Sequence, residues 1–171
     1  DGMDVSLENF EKVTIDGNVA ATLLGTTAAD TLVGDAGADT ITGRAGADTL
    51  TGGSRSDTFV FSTGDTGITE ATADTITDFS TGTDKIDIAT VGSYVEADGS
   101  GNADLAAFIT DANASLPTTS IDIYAEYNFK GEGNTLVVID EDKSGSVDAG
   151  DTLIILSGLS TAGGLDASDF I

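Results

Sequence analysis

From Gly25 to Phe61 the chain repeats every nine residues. The units GTTAADTLV, GDAGADTIT, GRAGADTLT and GGSRSDTFV follow one another with nothing inserted. Glycine opens each unit (Gly25, Gly34, Gly43, Gly52), and aspartate sits sixth (Asp30, Asp39, Asp48, Asp57). Threonine is seventh (Thr31, Thr40, Thr49, Thr58), and the eighth residue is always large and apolar: Leu32, Ile41, Leu50, Phe59.

A glycine-rich turn of six residues followed by three strand residues makes half a coil, so two units close one coil. Successive coils stack at the strand spacing of about 4.8 Å. Position eight then faces inward, and positions seven and nine face outward. Asp30 and Asp48 fall on one edge of the stack, Asp39 and Asp57 on the other. Like charges one strand spacing apart repel strongly unless a cation lies between them. Glycine permits turn conformations that present carbonyls inward. Calcium takes six to eight oxygen ligands and suits such a site better than magnesium, which demands a tight octahedron.

The formal net charge of −24 excludes phosphate-backbone binding, so no nucleic acid is expected as a partner. It also disfavours anionic membranes, and no apolar run approaches the ~18 residues of a membrane span. Asp outnumbers Glu by about three to one, a skew toward turns and hard-cation ligands. The chain has no Cys and no His. Thiol catalysis, disulfides, histidine zinc sites and the Ser-His-Asp triad are thereby removed, and no enzymatic activity is expected of these residues. Because the chain begins at Asp1, it reads as a fragment, and the lack of a leader says nothing.

Before the repeats, Val13 and Ile15 alternate with polar neighbours as in a half-buried strand. Asp16–Leu24 keeps the nine-residue frame but carries Ala21 in sixth place, as expected of a metal-poor capping rung. After Phe61 the frame breaks. Ile76, Phe79, Ile86 and Ile88 suggest strands closing the roll; Asp65, Asp74 and Asp78 in this passage are weaker metal candidates. An apolar face on Leu105, Phe108, Ile109, Ala112 and Leu116 predicts a helix over about 103–116. Asn102 or Ser100 is expected to cap it, and Pro117 to end it. DGSGNAD before it reads as the loop that leads into the helix. Residues 121–139 predict a hairpin with its turn at Lys130–Asn134, with Tyr124 and Tyr127 as sheet aromatics. In the final segment, Leu159, Leu165, Phe170 and Ile171 are expected to pack back onto the sheet.

A second metal motif spans 140–151. Numbered from Asp140, oxygen-bearing residues fall at the calcium-loop positions of an EF-hand: Asp140, Asp142, Ser144, Ser146, Asp148 and Asp151, with Gly145 sixth. Position five is Ser, and position twelve is Asp where Glu is usual. Strand-like residues flank the loop, so it is read as a calcium loop in a sheet with no helix pair.

These features resemble the C-terminal RTX region of a bacterial protein exported by type I secretion. The resemblance implies an all-β fold with one short helix: residues 1–61 form a cap and a parallel β-roll (a β-solenoid of RTX nonapeptides). Residues 62–171 form a β-rich cap and secretion-signal region, and the two make one cooperative unit. It implies several Ca²⁺ ions, with ligands drawn from turns two repeats apart. One set is Thr26, Ala28 and Asp30 with Gly43, Ala45 and Asp48; the other is Asp35, Gly37 and Asp39 with Gly52, Ser54 and Asp57. It further implies a monomeric, calcium-dependent folding and secretion module, with calcium and the type I secretion machinery as partners. The module would be secreted, extracellular or on the cell surface, as in adhesins and S-layer proteins. The alternative is an ice- or surface-binding solenoid, for which outward threonines such as Thr40, Thr42, Thr49 and Thr51 are suited but few.

Overall fold

A computed structural model describes residues 3–6, 12–14, 17–88, 92–116 and 122–171; Ile15, Pro117 and Ile121 lie outside this set. Nine short strands wind the roll: β1 (Met3–Ser6), β2 (Lys12–Thr14), β3 (Ala21–Leu24), β4 (Thr31–Val33), β5 (Thr40–Thr42), β6 (Thr49–Thr51), β7 (Thr58–Val60), β8 (Asp74–Ile76) and β9 (Lys85–Asp87). Odd strands stack in one parallel sheet, β1-β3-β5-β7-β9, and even strands in the other. Partners in the repeats stand eighteen residues apart, as Thr31 with Thr49 and Thr40 with Thr58. In the repeats, β4 to β7 each bury their middle residue between exposed or half-exposed neighbours. Leu23, Leu32, Ile41, Leu50 and Phe59 are thus fully enclosed between the sheets. Each contributes roughly 1.5–3 kcal/mol by leaving water.

The stack does not stop where the nonapeptide frame does. β8 pairs with β6, placing Ile76 beside Leu50, and β9 pairs with β7, placing Ile86 beside Phe59. Two longer connections, 61–73 and 77–84, are looped out while the strand register is kept.

β8 also joins the C-terminal half, because the even sheet continues through β13 (Thr152–Leu156), β12 (Asn134–Asp140), β11 (Asp122–Phe129) and β10 (Ser93–Asp98). One buried cluster accordingly runs from Val13 through the roll to Ile123, Val137, Ile154 and Phe170. A second core lies on the other face, where α1 (Leu105–Ser115) sets Phe108 and Ala112 against Tyr124, Phe129 and Val138.

The helix is capped by Asp104, whose carboxylate accepts the Ala107 N–H at 3.0 Å. The expected Asn102 instead donates to the buried Glu126, and Ser100 lies in a short 3-10 turn, Gly99–Gly101. Aspartate is the better cap because its charge also faces the positive end of the helix. In the tail, Leu165 and Phe170 are buried as expected, and Leu159 is partly so. The Ile171 side chain is exposed, and its backbone holds it, pairing with Ile86 and Ile88.

Candidate metal centre

Along the roll, each sixth-position aspartate commits one carboxylate oxygen to the fold. On one edge, Asp48 Oδ1 accepts the Asp30 N–H at 2.7 Å, and Asp74 Oδ1 accepts the Asp48 N–H at 2.8 Å. On the other, Asp39 Oδ1 accepts from Ala21, Asp57 Oδ1 from Asp39, and Asp84 Oδ1 from Asp57, at 2.7, 2.8 and 3.0 Å. Each of these aspartates thus reaches back one coil, which fixes its rotamer and aims the second oxygen into the turn.

Those second oxygens divide into two kinds. Asp39, Asp48, Asp57 and Asp74 each keep a buried Oδ2 with no hydrogen-bond partner. Asp30 and Asp84, at opposite ends of the two rows, are closed locally. Asp30 Oδ2 accepts from the Thr26 N–H and hydroxyl at 2.6 and 2.8 Å, and Asp84 Oδ2 accepts the Ser80 N–H at 2.8 Å. Buried carboxylate oxygens are rarely left unpaired, since the desolvation cost is not recovered.

The glycines show where the open oxygens point. A Cβ on Gly34 would stand 2.4 Å from Asp39 Oδ2 and 2.7 Å from the Gly52 carbonyl one coil along. One on Gly43 would stand 2.3 Å from Asp48 Oδ2, and one on Gly52 would stand 2.4 Å from Asp57 Oδ2. Near Gly34 a carboxylate and a carbonyl therefore converge on a space that only a missing side chain leaves open. A buried carboxylate oxygen without a partner and a backbone carbonyl are hard oxygen donors of the kind calcium takes, so the donor set fits that ion.

Burial is the main cause that pushes these carboxyls above the ordinary range, with neighbouring aspartates adding to it. Asp48 and Asp57 rise to about 6 and Asp74 to about 8, and Asp39 and Asp84 also move upward. Among the described residues no ion pair relieves them: the pairs are Lys85–Asp169 and Lys130–Glu70.

The remaining expected ligands are placed unevenly. Gly37, Gly43 and Gly52 are buried beside the aspartates; Ala45 is half-buried, while Ala28, Asp35 and Ser54 are exposed. The Asp35 carbonyl accepts the Ser54 N–H at 2.7 Å, and its carboxylate accepts from Gly17. Asp78 uses both oxygens on the N–H groups of Gly52 and Gly53, at 3.0 and 2.8 Å. Asp84 was missed by the nonapeptide reading because one residue too many separates it from β8. The triplet Asp84-Lys85-Ile86, echoing Asp74-Thr75-Ile76, is the signal that marks it.

In the 140–151 loop, which joins β12 to β13, Asp140, Asp142 and Asp151 bring carboxylate oxygens within 4.8 Å of one another. Asp140 closes one strand and Asp151 precedes the other, so the hairpin itself sets their separation. Asp140 Oδ2 accepts the Gly145 N–H at 2.8 Å, made possible by the left-handed Gly145 at φ 72°. Ser144 and Ser146 bond to each other and Asp148 folds onto the Gly150 N–H. Burial followed by the charges of Asp140 and Asp142 raises Asp151 to about 6.

The family model for the RTX calcium-binding nonapeptide repeat matches residues 24–59 in four copies. Residues 24–59 are RTX calcium-binding repeats. Solved structures similar to the chain include two subunits of the Azotobacter vinelandii mannuronan C5-epimerase, AlgE6R3 and AlgE6R2, each 20% identical. The first match covers 97% of this chain and 86% of that one with a TM-score of 0.36; the second covers 91% and 92% with a TM-score of 0.38. No curated protein sequence matches. The RTX repeats form a structural calcium-binding β-roll, a match that does not favour the ice- or surface-binding alternative. Among the described residues, no helix is long and apolar enough to cross a membrane.

Proposed function

We propose that this chain is a calcium-dependent folding module of an exported bacterial protein, expanded where calcium is scarce and folded where it is plentiful. The observation that carries this reading is the set of four buried, unpartnered aspartate oxygens along the roll, three of them in the RTX repeats. A fold that encloses such groups without a cation works against itself, and a −24 charge adds self-repulsion. With calcium bound, the same carboxylates become ligands, and binding free energy becomes folding free energy.

Within the roll, Asp39 and Asp57, with the Gly52 carbonyl and the turn carbonyls of Asp35, Gly37 and Ser54, would hold one ion. Asp30 and Asp48, with carbonyls of Thr26, Ala28, Gly43 and Ala45, form the corresponding set on the other edge, where Thr26 already closes Asp30. The hairpin loop would hold another through Asp140, Asp142 and Asp151, with Ser144, Ser146 and Asp148 completing the shell. Each site at a hundredfold its dissociation constant adds ~2.7 kcal/mol to folding.

Such a chain suits passage through a type I secretion channel in an unfolded state, followed by folding outside the cell, as a single monomeric unit. Calcium titration followed by far-UV circular dichroism tests the folding step, with magnesium as control. A cooperative gain of β signal with calcium and little with magnesium is expected. A chain equally folded in calcium-free buffer refutes the reading.

A further inference from the structure

The first turn of the roll is closed differently from the three that follow it. In the later repeats the second residue is left-handed: Asp35 at φ 72°, Arg44 at 69° and Gly53 at 100°. In the first turn, residues 25–30, no residue has a positive φ. The sequence accounts for this, because the unit GTTAAD places Thr26 second and Ala28 fourth. A β-branched residue is an outlier in the left-handed region, so the chain takes another path at Thr26.

That path turns the donors of Thr26 onto its own aspartate. Its N–H and hydroxyl both donate to Asp30 Oδ2, at 2.6 and 2.8 Å, and the hydroxyl oxygen accepts the Ala28 N–H at 3.1 Å. Two glycines show what has been closed. A Cβ on Gly34 would meet Asp39 Oδ2 and the Gly52 carbonyl; one on Gly25 would meet the Gly43 carbonyl at 2.3 Å and Asp30 Oδ2 at 3.0 Å. A carboxylate and a carbonyl one coil along therefore converge on both edges. Asp39 Oδ2 is unpartnered there, whereas Asp30 Oδ2 already holds two hydrogen bonds. Arg44 also donates from its guanidinium to the Gly25 carbonyl at 3.2 Å, so a positive group of the third repeat already reaches the first turn.

We propose that Thr26 is an internal competitor for calcium: it occupies Asp30 with the chain's own donors, so the Asp30–Asp48 set fills only after the Asp39–Asp57 set. The inference rests on the reading that the roll binds calcium, and it ranks two edges that the repeat itself makes equivalent. For an ion to bind at Asp30, Oδ2 must release both hydrogen bonds and the turn must move. Asp39 and Asp57 release nothing, because their Oδ2 atoms are unpartnered. The entry rung is thus held by its own hydrogen bonds and needs no ion once its neighbours are loaded.

Equilibrium dialysis of the whole chain against calcium tests this. The parent is compared with Thr26→Gly, with Asp30→Asn and with the two combined. Thr26→Gly gives the first turn the second-position glycine that Gly53 supplies in the fourth, and Thr26 is only half-buried, so no core contact is lost. One ion should bind at least about tenfold more tightly in Thr26→Gly, because hydrogen bonds to a charged oxygen no longer compete with it. Adding Asp30→Asn should abolish that gain, and Asp30→Asn alone should leave the tightest ions of the parent unchanged. Circular dichroism at saturating calcium should show the parent's strand content in every variant. An unchanged isotherm in Thr26→Gly, or loss of a tightly bound ion in Asp30→Asn alone, overturns the proposal while leaving calcium binding by the repeats intact. A parent chain that binds no calcium overturns both the reading of the roll and this inference. Loss of the strand signal in Thr26→Gly at saturating calcium also counts against the proposal, because it makes Thr26 a part of the fold and not a competitor.

Discussion

Acid should fold the calcium-free chain, and the same acid should weaken the calcium-loaded one. Asp48, Asp57 and Asp151 have their carboxyls raised to about 6, and Asp74 to about 8, from an unfolded value near 3.8. A carboxyl raised in the folded state binds protons more tightly there than in the unfolded chain. Its contribution to stability is complete below pH about 4 and is lost as pH rises through about 6 for the first three and about 8 for Asp74. A folded value raised about two units above the unfolded one makes the ionised carboxylate cost at most about 3 kcal/mol, at roughly 1.4 kcal/mol per unit, and about twice that for Asp74. Water entry and relaxation reduce this to the order of 1 kcal/mol each. Several such groups together still amount to a sizeable part of a domain's usual stability of about 5–15 kcal/mol. The assay is circular dichroism, with urea titration wherever the chain is folded, on calcium-depleted protein from about pH 8 to 5. Strand signal and urea midpoint should both rise on acidification. With saturating calcium the midpoint should fall over the same range, since protons compete for the ligands. A calcium-free midpoint that is flat or falls across that range refutes the assignment of these carboxylates as the source of instability.

Gly43→Ala places a methyl 2.3 Å from Asp48 Oδ2; it should weaken calcium binding and lower stability by about 1–3 kcal/mol, read by calorimetry. Asp84→Ala strands the N–H groups of Asp57 and Ser80, and the calcium-loaded chain should lose about 1–3 kcal/mol in a urea titration. Asp151→Asn removes a charge and one of the acceptors that tie Glu141 and Asp148 together. Dialysis should then show one ion fewer per chain, with the ions of the roll retained.

The nine-residue period made the roll legible because its turns, inward residues and carboxylates each occupy fixed positions. Leu32, Ile41, Leu50 and Phe59 are buried for that reason, and the division of aspartates between two edges follows from the same count. Continuation of the roll into β8 and β9 was less legible. Backbone pairing of Thr49 with Thr75 and of Thr58 with Lys85 tolerates looped-out connections that the period does not encode. Asp78 resembled Asp74 in sequence, yet its position over Gly52 and Gly53 turned it into a cap for their N–H groups. The spacing of oxygen-bearing residues in 140–151 identified the convergence of Asp140, Asp142 and Asp151. It did not show that Ser144, Ser146 and Asp148 make hydrogen bonds within the loop. Asp104 was passed over as the helix cap in favour of Asn102 because the demand of Glu126 for a partner comes from another strand.

Small-angle scattering with and without calcium tests the central claim most directly. For 171 residues, a folded chain has a radius of gyration of about 16 Å and an unfolded one about 44 Å. Calcium-free protein near neutral pH should scatter close to the larger value and collapse toward the smaller on adding calcium, but not on adding magnesium. A calcium-free chain that is already near the folded value would contradict the claim that calcium drives folding.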